Sequence, residues 1–132
     1  MKAKSIHGKS AAEILTALKK TISDSFNPSL AIVFISIKQD RKAVTDLLHQ
    51  NGMDVFGATS CGEFIDGQQS EGEIAILLLD ISRDSYHIYF ENIGSGSVAD
   101  AAARAGQKAL MQFKNPSLIV CSTGMTAAGV YF

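Results

Sequence analysis

Leu30-Ala31-Ile32-Val33-Phe34-Ile35 and Met53-Asp54-Val55-Phe56-Gly57-Ala58, with Arg41 to Gln50 between them, decide the fold. The first stretch is continuously apolar and partly β-branched, the composition of a strand buried on both faces. Asp40 is placed to cap a helix carrying Ala43, Val44, Leu47 and Leu48 on its inner side, and Asn51-Gly52 supplies its stop. Strand, helix, strand with short connections is a βαβ unit, so the two strands are expected to run parallel.

The second strand runs directly into Gly57-Ala58-Thr59-Ser60-Cys61-Gly62-Glu63-Phe64. Two glycines bracket a threonine, a serine and a thiol, and a carboxylate follows at once. Glycine permits sharp turns and close backbone approach. Small polar neighbours can bond a ligand without filling its space. In open α/β sheets ligands bind outside the carboxyl ends of parallel strands, which is where this segment falls.

Upstream, Ser10-Ala11-Ala12-Glu13 reads as a capping box, and Ile14, Leu15, Leu18, Ile22 and Phe26 give one face of a helix that Asn27-Pro28 ends. Downstream, Asp66 to Gly72 reads as a polar loop. Ile74 to Ile81 and Tyr86 to Ile93 then read as a hairpin across Ser82-Arg83-Asp84-Ser85. His87 falls on the wetter face of that second strand, as a solvated edge residue rather than a ligand. After Gly94-Ser95-Gly96, Ser97-Val98-Ala99-Asp100 opens a third helix, and Ser117-Leu118-Ile119-Val120-Cys121 reads as a last buried strand ending in Ser122-Thr123-Gly124. Ser10 to Phe26 and Ser97 to Phe113 match in length and apolar positions, and Asn-Pro-Ser-Leu follows both, at Asn27 and Asn115. That echo suggests duplicated packing within one domain. The expected architecture is a single α/β domain with a mixed sheet of about five strands, a βαβ unit plus an antiparallel hairpin, packed by about three helices.

The 132 residues are 46% apolar and 19% charged with a net charge of -1, a globular balance with no global attraction to nucleic acid or anionic lipid. The longest apolar run, Ile74 to Leu79, is strand-sized, so no membrane span is expected. The first residues lack the apolar stretch of a signal peptide, which leaves a cytoplasmic location as the expectation. The apolar ending Ala127-Ala128-Gly129-Val130-Tyr131-Phe132 reads as an excised domain rather than a natural end. Two cysteines, Cys61 and Cys121, are too few for a disulfide scaffold.

Three strands are thus expected to end in small polar residues, at Ser36, at Thr59-Ser60-Cys61-Gly62 and at Ser122-Thr123-Gly124. If those ends converge, Gly57, Thr59, Ser60, Cys61, Gly62, Glu63, Ser122, Thr123 and Gly124 line one ligand site. Hydroxyls, backbone N–H groups and one carboxylate suit a zwitterion such as an amino acid. The ligand carboxylate would take the donors, and Glu63 would pair with its ammonium. Cys61 as a nucleophile needs a base or cation to lower its pKa, and His7, His49 and His87 are all remote in sequence. No catalytic residue, metal ligand or cofactor is expected: there is no Gly-Lys-Ser/Thr loop, dinucleotide fingerprint or metal-ligand spacing. The alternatives are a thiol-dependent enzyme using Cys61 and a structural interaction module.

The N-terminal helix, the Pro-led apolar strand, the second helix and the strand entering Gly57-Ala58-Thr59-Ser60-Cys61-Gly62-Glu63-Phe64 resemble the N-terminal part of FIST domains. That family commonly has Gly-x-[Ser/Thr]-[Ser/Thr]-x-Gly-Glu here, matched by Gly57, Thr59, Ser60, Gly62 and Glu63. The following apolar hairpin and the later strand into Ser122-Thr123-Gly124 also follow the family's order. The resemblance implies non-catalytic sensing of a small molecule, with amino acids as the proposed ligands and a signalling output domain in the full-length protein. It also implies that residues 1–132 are the N-terminal part of a longer sensory region. A sheet face left uncovered by a missing half would favour a homo-oligomer.

Overall fold

The computed structural model describes residues 1–65 and 67–122. Two compact units form, Met1–Tyr86 and a second beginning at His87. In chain order the first holds β1 (Lys2–Gly8), α1 (Ala11–Thr21), β2 (Leu30–Ser36), α2 (Arg41–Gln50), β3 (Asp54–Ser60), β4 (Glu63–Ile65), β5 (Gln68–Ser70) and β6 (Ile74–Asp80). A single 3-10 turn, Arg83–Ser85, follows. The second unit holds α3 (Val98–Gln112). The architecture is α/β with a mixed sheet.

The βαβ unit forms as expected, with β2 and β3 parallel from Leu30 opposite Asp54 to Ser36 opposite Ser60. Asp40 caps α2 by accepting the Ala43 N–H at 3.0 Å, and Ser10 caps α1 by accepting that of Glu13. The Glu13 carboxylate reaches back to the Lys9 N–H, one residue before the cap. Helix α1 is shorter than its apolar face suggests. The backbone turns extended at Ile22, so Phe26 reaches the core from a turn rather than from the helix.

The hairpin expected over residues 74–93 does not form. The sheet order is β1-β6-β2-β3, so β6 lies between β1 and β2 and runs against both. The strand that completes this sheet is therefore β1, paired from Lys2 opposite Asp80 to Gly8 opposite Ile74. Only Ile6 and Gly8 of β1 are buried, which explains its weak apolar pattern. The chain leaving β6 is diverted instead. Arg83 pairs with Asp54 and donates to Gly52 O at 2.6 Å, while the Tyr86 hydroxyl lies 2.7 Å from Asp54 Oδ2 and 3.0 Å from Ser29 O. Burial raises the Tyr86 phenol pKa, and its bond to Asp54 raises it further. These contacts hold residues 83–86 against the start of β3, away from a hairpin path. The expected loop at Asp66 to Gly72 contains strand: β4 and β5 pair as a small antiparallel ribbon.

Helices α1 and α2 cover one face of the sheet. Ile14 and Leu18 from α1 and Val44 and Leu48 from α2 pack with Ile6, Ala31, Val33, Ile35, Ile74, Ile76 and Leu78. The other face carries Ile32, Phe34, Phe56 and Leu77, with Phe34 47% exposed. Strand β2 is thus covered fully on one side only, not on both as its composition suggests.

In the second unit Ser97 and Asp100 form a complete capping box. Glu91 accepts from Arg104 and Lys108, whose bonds hold its carboxyl below the usual range, the Lys108 bond most strongly. His87 is exposed, its ring centroid 4.4 Å from that of Tyr89. Residues 117–122 form no strand, and Leu118 and Ile119 are exposed. A strand needs a neighbour to complete its ladder, and the described residues of this unit contain none.

Ile76 and Leu77 are adjacent in β6 but face opposite ways, 1% and 37% exposed. Ile76→Ala is expected to cost about 2–5 kcal/mol and Leu77→Ala less than half as much, measured by equilibrium urea unfolding.

Candidate functional site

Strand β6 opposes β1 and β2, so β1, β2 and β3 all run the same way. Their carboxyl ends, at Gly8, Ser36 and Ser60, share one edge of the sheet with the beginning of β6. Strand β4 lies against β1, β2 and β6.

Glu63 is the centre of that edge. It is only 2% exposed, and it forms no ion pair with any described residue. Its Oε1 accepts the Ser60 hydroxyl at 2.6 Å, and its Oε2 accepts the Glu73 backbone N–H at 3.0 Å. Ser70 Oγ lies 3.5 Å from the Glu63 carbonyl. A buried carboxylate is costly unless its lone pairs are met, and here neutral donors meet them. Glu73 then extends the network. Its carbonyl accepts the Ser36 N–H at 3.1 Å, joining the end of β2. Gln39 Nε2 donates to Gly72 O at 2.7 Å, across a backbone with φ of +80° that favours glycine.

The Glu73 carboxylate faces Lys9 Nζ at 3.4 Å and His7 Nδ1 at 3.6 Å. Burial would raise its pKa, but the bonds from Ser70, Lys9 and His7 outweigh that and hold it below the ordinary 4.5. The ends of all three parallel strands are therefore linked through Glu63 and Glu73.

The sequence-predicted residues divide clearly. Ser60 and Glu63 are in contact; Thr59, Cys61 and Gly62 are exposed beside them. Gly57 serves backbone approach, because a Cβ there would fall 2.2 Å from Val33 O. Ser122 is exposed in the second unit, while Thr123 and Gly124 lie outside the described residues. The other members of the edge, His7, Lys9, Gln39 and Glu73, were not singled out by the sequence. No local motif marks them, since β6 and the β4–β5 ribbon bring them together from distant positions. Each histidine has a neighbour other than Cys61: His7 faces Glu73 within the edge, His49 Nδ1 lies 3.1 Å from Met53 O, and the His87 ring lies against Tyr89. Among the described residues no group of three or more His, Cys, Asp or Glu is placed to hold a metal ion. Nor is any described helix long and apolar enough to cross a membrane.

The residues that build this edge, from Ser29 onward, match the model of the FIST N domain over 29–132. The chain belongs to the FIST family. FIST domains are sensory domains of signalling proteins, and the family is sensory rather than catalytic. The match spans the βαβ unit, the Gly57–Glu63 segment and the second unit. Comparison with curated proteins finds no match.

Glu63→Gln replaces an acceptor by an amide that must turn its N–H₂ toward one of two donors. The expected cost is about 1–3 kcal/mol of unfolding free energy, read by chemical denaturation. Glu73 gives a pH-dependent counterpart. Its folded pKa is depressed, so its stabilising contribution is complete above the ordinary 4.5 and is lost as pH falls through the lower folded value. Denaturation of the chain and of Glu73→Gln across that range is expected to show a gap at neutral pH that closes in acid.

Proposed function

We propose that this FIST domain senses a small molecule, an amino acid, at the carboxyl edge of β1, β2 and β3, without chemical conversion of it. The observation that carries this reading is the Ser60–Glu63 pair: a buried carboxylate with no cation paired to it among the described residues, placed behind a half-buried hydroxyl at the end of a parallel strand. Burial keeps an unpaired charge out of high-dielectric water, so it attracts a complementary cation strongly. Thr59, Cys61 and Gly62, exposed beside the pair, complete this side of the site, with Gly57 setting the approach of β3 to β2. Cys61 is exposed, but none of the described histidines hydrogen-bonds it, and a thiol without a base or cation is a poor nucleophile. This supports recognition over catalysis. A signalling output domain elsewhere in the full-length protein and a cytoplasmic location belong to the same proposal.

The test is a thermal-shift and calorimetric screen of the twenty amino acids against this chain. At least one is expected to stabilise it, by about 2.7 kcal/mol at a concentration of 100 Kd. Glu63→Gln is expected to abolish that shift. Failure of every amino acid to shift the transition would sink the sensor reading, and rapid Cys61 alkylation near neutral pH would favour a thiol enzyme instead.

A further inference from the structure

We infer that the β3 end of this edge acts as a hydrogen-bond acceptor, so that it reads the ammonium group of its ligand and not the carboxylate. The inference rests on the ligand-site reading above and deepens it to a chemical class, the free primary amine. A serine hydroxyl has one proton and two lone pairs. Ser60 directs its proton inward, to Glu63 Oε1 at 2.6 Å. What half-buried Ser60 offers outward is therefore its lone pairs. The bond to Glu63 polarises that oxygen and makes it a stronger acceptor.

The second Glu63 oxygen also receives a donor from within the chain, the Glu73 N–H at 3.0 Å. Both donors that face Glu63 are thus consumed internally. An incoming carboxylate would meet an oxygen without a proton, backed by a buried negative charge. An ammonium would bring three N–H donors to the same oxygen and place its charge near Glu63. The ligand carboxylate, expected from sequence at these hydroxyls, is displaced to another part of the edge. An N-acyl group removes the charge, and an N-trimethyl group removes every donor, so both classes are rejected. In this arrangement Ser60 determines specificity. Glu63, 2% exposed, is a positioning residue that acts through it.

Two measurements test this. In the free chain, proton NMR reads exchange of the Ser60 hydroxyl against that of the exposed Thr59 hydroxyl. Ser60 is expected to exchange at least about tenfold more slowly, because its proton is held. Equal rates would overturn the inference. The second measurement titrates the amino acid that binds most tightly in the screen, its carboxamide and its N-acetyl derivative. The carboxamide is expected to keep most of the affinity contributed at this end, and the N-acetyl compound to lose about a hundredfold. That preference should collapse in Ser60→Ala and survive in Ser60→Thr, an outcome a merely structural serine would not produce. An N-acetyl compound that binds as tightly as its parent would overturn the inference while leaving the sensor reading intact. If no amino acid binds, the sensor reading falls, and hydroxyl exchange alone then decides the polarity of Ser60.

Discussion

Strand β6 has two neighbours, and the rest of the first unit depends on that. Its backbone completes the ladders of β1 on one side and β2 on the other. Ile74, Ile76 and Leu78 meanwhile point into the layer formed by α1 and α2. Each such side chain removed from water contributes roughly 1.5–3 kcal/mol, and backbone groups in that position have no alternative partner. Because β6 runs against its neighbours, β1 can join the sheet parallel to β2 without touching it. The α1 connection thus passes from one side of β6 to the other. A hairpin partner for β6 would have occupied the position of β1 and left Ile6 without its place in the core.

The same strand creates the candidate site. The chain enters β6 at the edge where β1, β2 and β3 end, so Glu73 arrives beside Ser36, His7 and Lys9 and offers its N–H to Glu63. A buried carboxylate met by a hydroxyl and a backbone amide has directional consequences. It fixes where the Ser60 proton goes.

Some parts of this were legible in the residues alone. Leu30 to Ile35 and Met53 to Ala58, with a capped amphipathic helix between, form a unit whose pairing follows from short connections. The Gly57–Glu63 segment pointed to the family, which the match over residues 29–132 shows. Other parts were not legible. Ile74 to Leu79 was recognisable as a strand, but its partner was not, because pairing depends on residues far away in sequence. Tyr86 to Ile93 alternates as a strand should, yet Arg83 and Tyr86 find Asp54, Gly52 and Ser29 and take the chain elsewhere. From spacing alone Glu63 is a carboxylate that would pair with a ligand's ammonium. Its burial came from Glu73 and Ser60 supplying donors, which spacing does not reveal.

What the sequence by itself determined is local: the three helices, the strands over Leu30 to Ile35, Met53 to Ala58 and Ile74 to Leu79, where Ser10, Asp40 and Ser97 cap, and that a glycine-bracketed polar segment follows a parallel strand. Periodicity and capping act over a few residues and so can be read along the chain. Only the tertiary structure decided that β1 completes the sheet and that Glu63 turns inward. The proton of Ser60 was likewise assigned by contact with a neighbour, and not by sequence. These outcomes depend on which distant groups compete for the same ladder or lone pair, and that competition is settled when the elements pack.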